Sequence, residues 1–235
     1  MKGFRLIFEW QWLHALLLAI LLAGAAPAAR LEGMRFGELW GIATPVWFWC
    51  AVGFAVAHQV YVWFCWRIQL HGSWLTRGFG GSAFHLYAVG FSILGILRVA
   101  AVFLVAISNR GTLPGSGPAM KALAVAVLLP SVYLFYSVLR YFSARRAFGI
   151  DHFDETWRSK PFERRGIFRW TRNGMYAYGF FLLWAAALWW ASCAALLAAA
   201  FNHFYIWVHY IATERPDMRR IYGEQRFGPA VERAQ

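Results

Sequence analysis

The sequence predicts an all-α integral membrane protein of about six transmembrane helices, ending in a C-terminal helical hairpin and an amphipathic cytoplasmic tail. Three observations carry this. Of the 235 residues, 60% are hydrophobic and only 14% charged, where a soluble domain of this length carries nearer a quarter charged. The apolar residues fall in blocks of roughly 20, the length a helix needs to cross hydrocarbon. Lysine and arginine then crowd onto alternate connections between the blocks.

The first block, 11–29, contains LHALLLAILLAGAAPAA. It admits two readings: a signal peptide with small residues at a cleavage point, or a helix that stays in the chain. Glu9 and the aromatics at its front favour the helix. Blocks 43–66, 83–107 and 120–142 are long enough to span. Block 175–190 is short: from Tyr176 to Trp190 a helix rises only about 22 Å, against about 30 Å of hydrocarbon. Either it tilts into a shallow hairpin with block 192–212, or the RNGMY turn before it sits at membrane depth. Glycine-rich connections such as TRGFGGSA and NRGTLPGSGPAM read as turns. The first lacks a phosphate-loop lysine. Cys50, Cys65 and Cys193 lie in or beside apolar blocks, with no metal-ligand spacing, and read as packing residues.

A net charge of +12 fits a nucleic-acid binder in magnitude, but its placement argues for no nucleic acid. With six spans, one side of the membrane receives 17 lysines and arginines and the other 4. The positive-inside rule then puts both termini in the cytoplasm, as expected of a multi-pass protein of a bacterial inner membrane or its equivalent. The chain divides at about 142 into four N-terminal helices, 1–142, and a region 143–235 that carries most of the polar residues. Within it, Asp151, His152, Asp154 and Glu155 are metal ligands by type, but the surrounding arginines make ion pairing the better reading and no metal is expected. The tail TERPDMRRIYGEQRFG reads as an amphipathic surface segment with Met218, Ile221, Tyr222 and Phe227 on its apolar side.

Four sets of residues stand out chemically. Arg98 lies well inside the third block, where a charge costs roughly 2.5–3.5 kcal/mol on insertion scales. It faces a partner or a water-filled cavity, or else snorkels or ties helices together. His203, Trp207, Tyr210 and Glu214 follow i, i+4, i+7, i+11 spacing on one helix face, with His203 and Glu214 about 16 Å apart along the axis. Asn202 and His209 fall on a neighbouring stripe. Glu214 ends the last block, where an acid needs a partner or a ligand, and Arg172 is its natural opposite number. Together they suit a zwitterion, guanidinium to carboxylate and acid to ammonium, while Asn173-Gly174 supplies a turn that exposes backbone donors. A structural Arg–Glu clasp closing the hairpin has the same signature.

The stretch GIFRWTRNGMYAYG resembles the Gly-x-Tyr-Arg-x-x-Arg-His-Pro-x-Tyr-x-Gly motif of the isoprenylcysteine carboxyl methyltransferase and phospholipid methyltransferase superfamily. TERPDMRRIYGEQRF is similar to that family's acidic-pair and aromatic-Gly ending, and the Asn-x-Met-Tyr variant is similar to phosphatidylethanolamine methyltransferases. The resemblance covers about 164–227. It implies S-adenosylmethionine as cofactor and a lipophilic methyl acceptor, an isoprenylcysteine-like carboxylate or a phospholipid amine. Arg172 matches the motif arginine, Tyr176 its tyrosine, Glu214 the second acid and Tyr222-Gly223 the closing pair. Asn173 stands for the motif His, Gly174 for Pro and Thr213 for the first acid, and the closing glycine arrives one place late at Gly179. The cofactor set implied is Arg172, Asn173, Tyr176, Gly179, His203, Glu214 and Tyr222; Glu214, His203 and Arg98 are the candidate catalytic groups. Two alternatives stand beside a methyltransferase: a relative of the sterol reductases, which use NADPH, and a non-catalytic protein that holds membrane lipid or a partner on its basic rim.

Overall fold

The computed structural model describes residues 2–115 and 117–223. Eight helices matter for the site: α1 (Gln11–Ala28), α2 (Thr44–Gly72), α3 (Ala83–Ser108), α4 (Pro118–Ser137), α5 (Gly174–Tyr178), α6 (Phe181–Trp189), α7 (Cys193–His209) and α8 (Arg215–Tyr222). Two strands of two residues each, β1 (Glu38–Leu39) and β2 (Ile42–Ala43), pair antiparallel beside the start of α2. By length and composition, five helical stretches among the described residues can cross a membrane: Gly3–Ala28, Thr44–Gly72, Trp74–Ser108, Pro118–Phe142 and Cys193–Tyr222. The all-α membrane class holds. The fifth expected span is instead the shorter apolar stretch Gly174–Trp189, which rises about 24 Å and breaks at Gly179-Phe180 between α5 and α6.

The core is built where α1, α2, α3, α6 and α7 meet, around Ala51, Ala55, Ala101, Ala187, Ala195, Ala198 and Ala199 with Phe48, Val102, Val105 and Tyr205. In lipid, hydrophobic burial does not drive helices together, so the small alanines matter by letting backbones approach. The first block is part of this packing: in α1, His14 Nε2 pairs with the Tyr205 hydroxyl at 2.8 Å, and Gln11 Nε2 donates to the Ala212 carbonyl at 3.3 Å.

Polar knots hold each end. At one, Asn109 is fully buried; its amide donates to the Gly33 and Phe36 carbonyls, and its oxygen accepts from Ser192 Oγ and the Ala194 N–H. Ser192 also caps α7 by accepting from the Ala195 N–H. At the other end, Arg67 of α2 and Asp217 of α8, both with fully buried side chains, pair at 2.9 Å, and His152 Nε2 lies 3.5 Å from the same carboxylate. Arg220 reaches Glu9 at 2.7 Å. The short helix Lys2–Ile7, the end of α2 and α8 therefore share one face.

The tail differs from the expected surface segment. Asp217, Met218 and Tyr222 are buried against the protein, with Ile221 half-buried; Phe227 lies outside the described residues. Its anchor is the buried acid Asp217, whose partner is about 150 positions away and invisible to local periodicity. Asp151 lies 3.5 Å from Arg146, and Glu155 bonds Arg158 at 2.9 Å. Among the described residues no cluster of three or more His, Cys, Asp or Glu is placed to hold a metal.

Candidate active site

The site begins at a turn that only glycine can make. Gly166 has φ +61°, and a Cβ there would sit 2.8 Å from the Ser137 Cβ and 3.0 Å from the Tyr141 ring. Ser137, at the end of α4, accepts from the Ile167 N–H at 3.1 Å. This seats the turn Gly166–Arg169 against α4, which fixes where α5 starts. Gly174 is tight as well: a Cβ there would lie 3.3 Å from Ile167 Cγ2.

Tyr176 on α5 is the hub. Its ring lies 5.7 Å from Trp207 and 5.0 Å from Tyr210, its hydroxyl donates to the Glu214 carboxylate, and its carbonyl accepts from His203 Nε2 at 2.9 Å. All four residues of the expected stripe thus meet one tyrosine. Glu214 ends a π-helical stretch, Tyr210–Glu214, and a second, Val138–Phe142, ends α4. Single π-turns inside α-helices are concentrated at functional sites, and both of these border the cavity.

That cavity, about 270 Å³, runs between α2, α3, α5, α7 and the 143–173 connection. Arg172, Asn173, Tyr176, Glu214 and Arg98 all line it. Outside it lies a groove of about 600 Å³ that shares Glu163, Phe168, Arg172, Asn173 and Tyr210 with it and adds Arg164, Arg169 and Arg215. The arrangement is a basic vestibule leading into an aromatic-walled chamber. Arg172 is exposed at the junction and makes no ion pair among the described residues. At the vestibule wall Glu163 is held down to about 2 by the Arg165 side chain that bonds it at 2.9 Å, helped by the Arg164 and Arg165 N–H groups.

Three other residues named from the sequence stand behind the walls. The indole N–H of Trp184 can only donate, so His203 Nδ1 accepts it at 3.1 Å and Nε2 carries the proton given to Tyr176. Both ring nitrogens are therefore engaged in joining α7 to α5 and α6, and His203 is not among the residues lining the chamber. Tyr222 accepts from Arg146 at 3.0 Å and packs its ring 4.7 Å from Phe162, which forms wall. Gly179 sits at the break between α5 and α6, where a Cβ would collide with the Met175 carbonyl. Arg98 both lines the chamber and ties helices: Nε donates to Asn202 Oδ1 at 2.5 Å, a terminal nitrogen donates to the Asn202 carbonyl at 3.0 Å, and Phe180 lies 4.7 Å from the guanidinium.

Among the polar and aromatic lining residues, His58, Gln59 and Trp66 of α2 carry no role in the sequence analysis, and His209 enters it only as a member of the neighbouring stripe. One signal was available for His58: an ionisable residue in mid-span is a functional candidate by default.

No curated protein and no solved structure matches the chain. Residues 119–225 match the family model described as phospholipid methyltransferase, a stretch that runs from the start of α4 through α8.

Proposed function

We propose that the protein transfers a methyl group from S-adenosylmethionine to a lipid acceptor, at the membrane face that carries both termini and faces the cytoplasm. The observation that carries this reading is the convergence of Arg172, Asn173, Tyr176 and Glu214 from two sides of the hairpin onto one cavity behind a basic vestibule. Bound there, S-adenosylmethionine supplies a methyl group already activated on a sulfonium. The residues present fit such a zwitterion. The Arg172 guanidinium, exposed at the junction, suits its carboxylate, and Glu214, steered by the Tyr176 hydroxyl, suits its ammonium.

The protein's share of the work is alignment and exclusion of water. Phe168, Phe180, Ile206 and Met175 give the chamber apolar walls, while Glu214 is the carboxylate placed to take a proton from an amine acceptor. Residues 143–223 supply the donor side, but α2 and α3 complete the chamber, so the division at 142, which falls inside the matched stretch 119–225, does not bound the site.

Calorimetric titration of the purified protein with S-adenosylhomocysteine tests this. Binding that disappears in the Arg172→Ala/Glu214→Ala double variant supports the assignment. A nicotinamide cofactor binding in its place, or methyl transfer retained by the double variant, overturns it.

A further inference from the structure

The chamber has a polar inner wall that donor binding at Arg172 and Glu214 leaves unused. His58 is 7% exposed and His209 2% exposed; both line the chamber, and neither ring nitrogen of either has a hydrogen-bond partner among the described residues. Buried polar groups are nearly always paired, and leaving one unpaired costs about 1–3 kcal/mol. Two unpaired imidazoles on one cavity wall therefore mark a place shaped for something polar. His58 lies 4.6 Å from the Phe91 ring, and His209 lies 5.8 Å from Trp66 and 6.3 Å from the His14 imidazole, whose own nitrogens are engaged by Gln11 and Tyr205.

Arg98 closes the same wall. Its Nε and one terminal nitrogen bond Asn202, which leaves its second terminal nitrogen without a partner among the described residues. A guanidinium stays protonated in proteins. Arg98 is ten residues from the end of α3, about 15 Å along its axis. The chamber's acids lie elsewhere. Glu214 is twelve residues beyond Asn202 on the α7 face, about 18 Å away, Asp151 is paired with Arg146, and Glu163 is paired with Arg165. The wall between Asn202 and Glu214 thus runs from a fixed cation, past two imidazoles, to the carboxylate. A free ammonium is repelled at the Arg98 end, whereas an oxyanion finds one cation and two imidazole N–H donors.

We propose that Arg98, His58 and His209 form the acceptor end of the chamber and bind an oxyanion of the lipid acceptor, a phosphodiester or a carboxylate. This rests on the methyltransferase reading for the word acceptor. His58 and Arg98 precede residue 119, where the family match begins. The acceptor selectivity of this chain is therefore set by α2 and α3, which its relatives by that match need not share.

The test is histidine carbethoxylation of the full-length protein in detergent micelles, read by mass spectrometry at His58 and His209. The probes are dioleoylphosphatidylglycerol for a phosphodiester, N-acetyl-S-farnesylcysteine for a carboxylate and dioleoylglycerol as the neutral control. At least one oxyanion lipid should lower modification fivefold or more relative to dioleoylglycerol, and the one that does identifies the source. Arg98→Met should abolish that protection, and so should His58→Phe as read at His209. The proposal is overturned if both histidines are unreactive in the free protein, if neither oxyanion lipid protects beyond the neutral one, or if Arg98→Met protects as wild type does. S-adenosylhomocysteine titration of the same samples separates the two claims. Protection without that binding sinks the donor reading alone, and binding without protection sinks the acceptor end alone.

Discussion

The buried pair between Arg67 and Asp217 makes an asymmetric prediction. Removing one member of a buried ion pair costs about 3–5 kcal/mol because it strands the other charge. The two members are not equally dependent. Without Asp217, Arg67 keeps Glu9 at 3.5 Å and the carbonyls of Leu6 at 2.6 Å, Thr213 at 3.4 Å and Ala212 at 3.5 Å. Without Arg67, the one ionic partner Asp217 keeps among the described residues is His152, at 3.5 Å. Arg67→Met should therefore fall at the top of that range, about 4–5 kcal/mol, and Asp217→Asn at the bottom, about 3 kcal/mol. At about 2–4 °C per kcal/mol for a chain of this size, that means about 8–20 °C against about 6–12 °C in Tm. The assay is thermal unfolding in a fixed detergent, followed by tryptophan fluorescence. Arg67→Met/Asp217→Leu should be more stable than Arg67→Met alone, since the stranded carboxylate is gone. Asp217→Asn costing more than Arg67→Met, or a double variant no better than Arg67→Met, would refute the reasoning.

Glu214→Gln should weaken S-adenosylhomocysteine binding at least tenfold and slow methyl transfer at least a hundredfold, measured by calorimetry and by label incorporation into lipid. Tyr176→Phe keeps the ring against Trp207 and Tyr210 but loses the hydroxyl donated to Glu214. A hydrogen bond of that kind is worth about 1 kcal/mol, so affinity should drop about fivefold. His203→Phe should lower Tm by several degrees while leaving that affinity within twofold, because both ring nitrogens serve the helix contact; a tenfold loss would return His203 to the binding set. Glu163, ordinarily near 4.5, is held down to about 2, so the folded state favours its charged form. Its contribution is complete above about pH 4.5 and is lost as pH falls through about 2. Exchange protection of the Arg164 and Arg165 amides should follow that window and lose it in Glu163→Gln.

The class of fold was legible because hydrocarbon thickness imposes a length on every spanning helix, and composition alone reports it. The stripe His203, Trp207, Tyr210, Glu214 was legible because it obeys one helical period. The contact of Arg67 with Asp217, the depth of His58 opposite α7 and the docking of α8 were not, since each joins residues far apart in sequence. The π-turn at Tyr210–Glu214 was hidden for a different reason: its i→i+5 bonding is set by backbone packing and has no marker residue in the sequence YIATE. His58 was missed although the rule that selected Arg98 applies to it equally.

The short fifth span accounts for the position of the site. A helix of about 24 Å falls roughly one turn short of the hydrocarbon thickness. Its far end is fixed: the Trp190 and Ala191 carbonyls accept from the Gly111 and Leu113 N–H groups at 2.9 and 2.8 Å, beside the Asn109 knot. The shortfall therefore appears at the other end, where α5 begins at Gly174. α7 has no such shortfall, since it continues through its π-turn into α8. One arm of the hairpin is recessed and the other runs on past it, which leaves a cleft bounded by Tyr176 below and Glu214 beside it. Irregular backbone at such a depth is tolerated only where it is covered by protein or lines a polar cavity. The Gly166–Arg169 turn does both, packing on Ser137 behind and opening onto the vestibule in front. Lengthening the fifth span by one helical turn, with Ala-Leu-Ala-Leu inserted after Leu183, would raise Gly174 towards the membrane surface and separate Tyr176 from Glu214. Loss of S-adenosylhomocysteine binding in a variant that still elutes as a folded monodisperse species is the expected result, and unchanged affinity would show that the recess does not make the site.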